Sequence, residues 1–286
     1  MLMIYLIPDA KPNLEVKEEL EYVSSNIQKA EVFLMDQSSY VALTEIALKE
    51  KDIIEKAKAL IKVLTVGGMN SKVPSGFSSI LPPDTEVLNI SYENNVLKVN
   101  FSKEILDINK ELEEKMIESL VYTLTSIDKV DKIIIYVEGD ILTKLPKTKI
   151  NLPSSLDRSF GINKEFNLTS TKDISDVTVY YINQIKGNYY YVPVTKYLNG
   201  VYDKVNIVIE ELSTNTNKDL KSYISEDVKL VDKQIDDNKI ELKIESSIES
   251  DDIKKNISKT ISLSICDNYK INEIIINKEI IKCSNH

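Results

Sequence analysis

The chain has 286 residues, of which 42% are hydrophobic and 28% charged, with a net charge of −9. That length exceeds one ordinary small core and predicts two domains of globular composition. Arg158 is the one arginine, and an acidic chain without clustered Lys and Arg excludes a nucleic-acid partner, because phosphate contacts need such clusters.

Residues 1–28 read as an N-terminal segment, with a strand fragment at Met3–Pro8 and a charged linker or edge element at Asp9–Ser25. Met1–Ile7 is too short for a signal-peptide core and has no basic residue before it. No apolar run reaches membrane-spanning length. The chain as given therefore predicts membrane attachment only through an N-terminal anchor that it does not contain.

A first domain is predicted over 29–141. Glu31–Leu34 and Tyr40–Leu43 read as short strands around the polar turn Asp36-Gln37-Ser38-Ser39. A helix follows from Asp52 to Thr65, with Ile53, Ala57, Leu60, Ile61 and Leu64 on one face. Asp52 and Glu55 have capping-box spacing, and Gly67-Gly68 stops the helix.

The loop Lys72–Thr85 is rich in Pro, Ser and Gly. Two alternating runs, Glu86–Tyr92 and Val96–Phe101, then flank Asn94-Asn95, a pair that tolerates the positive φ of a tight hairpin. A helical segment spans Lys110–Ile127, with Leu112, Met116, Leu120 and Leu124 at i, i+4. Asn109 is placed to cap it, and Glu111, Glu113 and Glu114 suit the positive end of its dipole. The apolar strand Ile133–Val137 completes the unit.

Residues 142–174 form a connector. Its Leu145, Ile150, Leu152, Phe160 and Phe166 are too many for a free tether, which predicts packing against a domain. In the second domain, 175–286, the order repeats. Val177–Tyr181 and Tyr189–Val194 flank Lys186-Gly187-Asn188, and Asp203 caps a helix with Val205, Val208, Ile209 and Leu212 inside. Val228–Val231 and Lys239–Ile244 flank Asp236-Asp237-Asn238, which stands where Asn94-Asn95 stood. Helix Ile253–Cys266 and strand Glu273–Ile276 follow. The fold class is α+β: two tandem copies of a β-β-α-β-β-α-β domain, helices on one face of a mixed sheet. The second copy lacks the Pro/Ser/Gly loop.

Val73-Pro74-Ser75-Gly76-Phe77, Leu81–Leu88, Val96–Ser102, Tyr122-Thr123-Leu124 and Ile133–Gly139 together resemble the GerMN domain. Two copies in tandem resemble the GerM-like family of sporulation and spore germination lipoproteins. The resemblance covers most of the chain and is weaker in the second copy. It implies a non-enzymatic structural or assembly protein of the spore or cell envelope, with a fold similar to the ring-building motif, whose α-β-β-α-β order recurs in Asp52–Val137. It implies a place on the extracytoplasmic face of the membrane or in the forespore envelope, within an envelope-spanning complex. Its partners would be envelope or sporulation-complex proteins, with self-association as a further reading. The alternative is a ligand-binding envelope protein, for instance one associated with peptidoglycan. No cofactor or metal is expected.

The residues agree on chemistry. His286 is the one histidine and the last residue, which leaves no positioned acid–base histidine. Glu113-Glu114 and Asp251-Asp252 sit at helix starts, where the dipole accounts for them. Ser75-Gly76 lacks the Lys-Ser/Thr of a phosphate loop. A buried free thiol is the favoured reading of Cys266; a Cys266–Cys283 disulfide requires the last helix and last strand to pack side by side. The candidate interaction residues are Pro74, Gly76, Phe77 and Pro82 in the loop, and Tyr189, Tyr190 and Tyr191 in the second half, where outward rings suit an interface.

Overall fold

The computed structural model describes residues 28–283 except 216, 218 and 226. The readings of Met3–Pro8, Asp9–Ser25 and His286 lie outside the described residues. The first half runs β1 (Gln28–Met35), β2 (Val41–Leu48), α1 (Ile53–Leu64), β3 (Val87–Glu93), β4 (Val96–Phe101), α2 (Glu113–Leu124), β5 (Lys132–Val137) and β6 (Asp140–Ile141). The connector adds β7 (Glu165–Asn167). The second half runs β8 (Ile174–Ile185), β9 (Asn188–Asn199), α3 (Lys204–Ser213), β10 (Val228–Ile235), β11 (Lys239–Ser246), α4 (Asp251–Asn268), β12 (Glu273–Ile276) and β13 (Glu279–Lys282).

Each half carries a four-stranded sheet of the same design, β3-β4-β5-β6 and β10-β11-β12-β13. In both the first pair is antiparallel, the second parallel and the third antiparallel. The parallel pairs are joined by α2 and α4, since a parallel connection needs a crossover. Asn94 and Asn95 take φ +50 and +62, as the hairpin requires. Asp236-Asp237-Asn238 turns without a left-handed residue, so the two loops match in position but not in backbone.

The sequence reading placed one sheet in each half, whereas the leading hairpins leave their own sheets. β1–β2 and β8–β9 instead build a five-stranded sheet with β7. The cause is a covered edge. On β1, the Phe33 N–H donates to Thr123 Oγ1 (2.9 Å) and the Ser119 hydroxyl to the Phe33 carbonyl (2.7 Å), both from α2. On β8, the Tyr180 N–H donates to Ser264 Oγ (2.8 Å), and Asn268 bonds both main-chain groups of Thr178 from α4. Helix side chains thus satisfy the outer edge of each hairpin, leaving β2 and β9 to meet each other.

Each half has its own apolar core, and the cores interlock. Tyr180 belongs to the first core and Ala42 to the second. The connector packs on the first core through Leu145, Leu152, Leu156 and Ile162, with Ile150 and Phe160 against it, whereas Phe166 is exposed and stacks on Tyr197.

Three local expectations change. Asn109 makes no side-chain cap: a 3-10 turn over Lys110–Leu112 precedes α2. Glu113 is not a solvated dipole group but is buried, accepting the N–H groups of Lys147 (2.8 Å) and Thr148 (2.6 Å) from the connector. Burial pushes its carboxyl up, and those backbone donors outweigh it and hold it below the usual range. Cys266 is not a free thiol: it is bonded to Cys283, so the last helix and the last strand do pack side by side.

Candidate functional site

The turn of β8–β9 places Lys186 and Gly187 at φ +50 and +87, a local geometry that matches strand twist. Along β9 the tyrosines alternate. Tyr190 turns inward, where its hydroxyl donates to Asp36 Oδ2 (2.8 Å). Tyr191 reaches Asn256 of α4 (3.0 Å), and Tyr189 lies edge-to-face with Tyr223 at 6.0 Å.

The Lys72–Thr85 loop comes down on this hairpin. Ser78 exchanges both main-chain bonds with Met35, and the N–H groups of Ile80 and Leu81 donate to the Leu64 carbonyl. Ile80 and Leu81 are buried, so this end of the loop is a strap. The other end makes the contact. Phe77 meets Tyr190 edge-to-face at 4.9 Å. Gly76, at φ +93, approaches so closely that a Cβ there would stand 2.8 Å from the Ile185 side chain. The loop's contact partner is the other half of the same chain.

Between loop and hairpin lies a groove of about 480 Å³. Its lining includes Glu45, Pro74, Phe77, Tyr189, Tyr190 and Tyr191, with Lys259 of α4. Five of the seven residues singled out in the sequence therefore come together, and Gly76 sets the approach of the loop. Pro82 does not join them: it is buried beside Leu81 in the strap and presents no outer surface. Tyr190 is also buried, so its ring serves the junction rather than an exposed patch.

The titratable side chains of the groove lining are Glu45, Lys259 and the three tyrosines. Burial pushes the Tyr191 hydroxyl up to about 12, and burial with the Asp36 carboxylate pushes Tyr190 higher still. Both are neutral phenols at ordinary pH. Among the described residues no cluster of three or more His, Cys, Asp or Glu is placed to hold a metal.

Residues that sequence reasoning missed hold the junction. Arg158 Nη1 bonds Asp267 Oδ1 at 2.6 Å, and its other nitrogens reach Ser126 and Thr125. Its guanidinium lies 5.0 Å from the Tyr122 ring centroid. Burial opposes the charge on Arg158, and the Asp267 carboxylate more than restores it. Asn163 stitches β2 to β9, and its own N–H donates to Glu118 at 3.0 Å. The available signal was that Arg158 stands alone in a lysine-rich chain: a bidentate, weakly hydrated cation suits a buried pair.

Residues 31–143 match the Germane family, described as sporulation and spore germination. The spore germination protein GerM of Bacillus subtilis (strain 168) is 33% identical over 231 residues, which is 78% of this chain. The chain spans about 62% of that relative's length. The solved tandem GerMN domains of the sporulation protein GerM from Bacillus subtilis superpose with a TM-score of 0.76 at 28% identity, covering 87% of this chain and 90% of that one.

The chain is built as tandem GerMN domains.

In those terms, β1 to β6 make the first GerMN domain and β8 to β13 build the same order of elements again. The groove lies where the loop of the first GerMN domain rests on the leading hairpin of the second.

Proposed function

We propose that the chain is a non-catalytic structural and assembly protein of sporulation, acting in the spore or cell envelope as part of an envelope-spanning complex. Kinship with GerM supports the sporulation-related role, and none of the relatives above carries an enzyme's name. One observation carries the finer reading: the two GerMN domains share a sheet and are locked by buried polar groups. The buried charged groups Arg158 and Glu118 serve that lock, through Asp267 and Asn163, and neither lines the groove. A rigid two-domain body suits a scaffold that sets the spacing of envelope or sporulation-complex partners, or of further copies of itself.

The disulfide supports a place on the extracytoplasmic face, because structural disulfides persist in oxidising compartments. Among the described residues no helix is long and apolar enough to cross a membrane. Attachment is proposed to come from an N-terminal anchor.

Deleting the gene in its spore-forming host tests the reading. Heat-resistant spore yield should fall, and photo-crosslinkers placed in the chain should capture envelope proteins. Full spore yield without envelope crosslinks would overturn it. A second reading, a ligand-binding envelope protein associated with peptidoglycan, is favoured by the aromatic groove alone. Co-sedimentation of the purified chain with peptidoglycan sacculi decides for it.

A further inference from the structure

β2 and β9 share a single register pair, Leu43 opposite Tyr191. The direction of the neighbouring main-chain groups follows from their other bonds. In β9, the Thr195 N–H donates to the Ile162 carbonyl, and the Pro193 carbonyl accepts from Asn163 Nδ2. Ile182, which faces Tyr191 from β8, exchanges both its bonds with Lys221 instead. Odd-numbered residues of β9 therefore turn their N–H and C=O groups away from β8 and toward β2. In β2, both main-chain groups of Val41 bond the Asn163 side chain, so its odd-numbered residues face β9.

Two residues to one side of the Leu43–Tyr191 pair, Val41 and Pro193 face each other across a gap filled by a carboxamide. Asn163 Oδ1 accepts the Val41 N–H at 2.9 Å, and Nδ2 donates to the carbonyls of Val41 (2.8 Å) and Pro193 (2.7 Å). Two residues to the other side, the same register brings Glu45 opposite Tyr189. Here the strands splay, and the gap is the groove.

We propose that this fork binds an extended peptide, whose main-chain amide takes between Glu45 and Tyr189 the place that the Asn163 carboxamide takes between Val41 and Pro193. Such strand addition draws affinity from main-chain bonds and specificity from pockets for alternate side chains, which Phe77, Ile185 and Tyr191 supply here. The threonine and tyrosine hydroxyls of the lining are already engaged. Thr44 donates to the Val32 carbonyl, Tyr190 to Asp36, Tyr191 to Asn256, and Tyr189 pairs with Tyr223. Besides the Asn188 carboxamide and the Lys259 ammonium, what remains for a ligand is the main chain, which suits a peptide better than the hydroxyls of a sugar. The rim favours an acidic peptide. Lys259 and Lys186 have no carboxylate partner among the described residues, while Glu45 is paired with Lys29 at 2.7 Å.

The inference deepens the assembly role proposed above, and its test reads binding without any spore readout. The full chain, labelled with ¹⁵N, is titrated with short peptides of alternating valine and threonine that carry one or two aspartates. The amide signals of Glu45 and Tyr189 should shift. Tyr189→Pro removes a main-chain donor that the β8–β9 ladder does not use, and should weaken binding about tenfold or more. A peptide N-methylated at its central amide should weaken alike, which keeps the test open should the proline variant lose stability. No shift at Glu45 and Tyr189 with any of these peptides would overturn the proposal. So would equal binding of the N-methylated peptide, or shifts produced by the N-acetylglucosamine dimer and not by peptides. Peptide binding in a chain without a part in spore formation would overturn the assembly role and leave the fork standing.

Discussion

Glu118→Gln should stabilise the protein at and above neutral pH and leave it unchanged in acid. Glu118 sits on α2 at 3% exposure, with its carboxylate accepting one N–H from Asn163. Burial lifts its carboxyl from the ordinary 4.5 to about 7, against the pull of the Asn163 N–H and Lys164, while Glu114 adds to the rise. Between pH 4.5 and 7 the folded chain holds a proton that the unfolded chain has released. Stability from this group is therefore complete below pH 4.5, falls as pH rises through the window and levels off above 7. At 1.36 kcal/mol per pKa unit the fall is about 3 kcal/mol. Glutamine keeps an oxygen for the Asn163 N–H and carries no charge. Urea unfolding followed by circular dichroism, for both proteins across this range, isolates the effect, since every other titrating group is common to both. The variant's advantage should grow from near zero in acid to about 3 kcal/mol above neutrality. Parallel stability curves would refute the reasoning, because they would mean that Glu118 is no harder to ionise in the fold than in water.

Arg158→Met strands Asp267, whose side chain is 1% exposed, and should cost about 3–5 kcal/mol in chemical denaturation, most of it recovered when Asp267→Leu is added. Leu81→Ala should cost about 2–5 kcal/mol of unfolding free energy, because Leu81 is fully buried where the loop straps the first core. Cys283→Ser opens a cross-link with a sequence separation of 17 and should cost about 3 kcal/mol, with faster hydrogen exchange confined to β12, β13 and α4.

The sequence was legible where local chemistry decides. Alternation in Val96–Phe101, the Asn94-Asn95 turn and the Asp52 and Asp203 caps all follow from neighbours a few residues away, and each forms. The Asn109 cap failed because Glu113, one turn later, is drawn to the connector, a partner more than thirty residues distant. The exchange of hairpins between sheets was not legible for the same reason. It depends on Ser119 and Thr123 covering the edge of β1, and periodicity marks those residues only as helix positions. At the candidate site, the period of two placed Tyr190 opposite Tyr189 and Tyr191, yet could not say which face meets the loop. Arg158 and Asn163 share the connector, but Asp267 lies on α4 and Glu118 on α2, and their convergence is a product of the fold alone.

The single pair that joins the two hairpins also orders events in time. Leu43 and Tyr191 are separated by both helices of the first half, the whole connector and β8. As the chain emerges from the ribosome or from a membrane channel, β2 is complete long before β9 exists. Contacts so distant along the chain form slowly. Through that interval β2 presents a bare strand edge of the kind that recruits other chains. The first domain therefore passes through a stage in which it is folded but adhesive, and arrival of the second hairpin closes it. A stalled or truncated chain would remain at that stage.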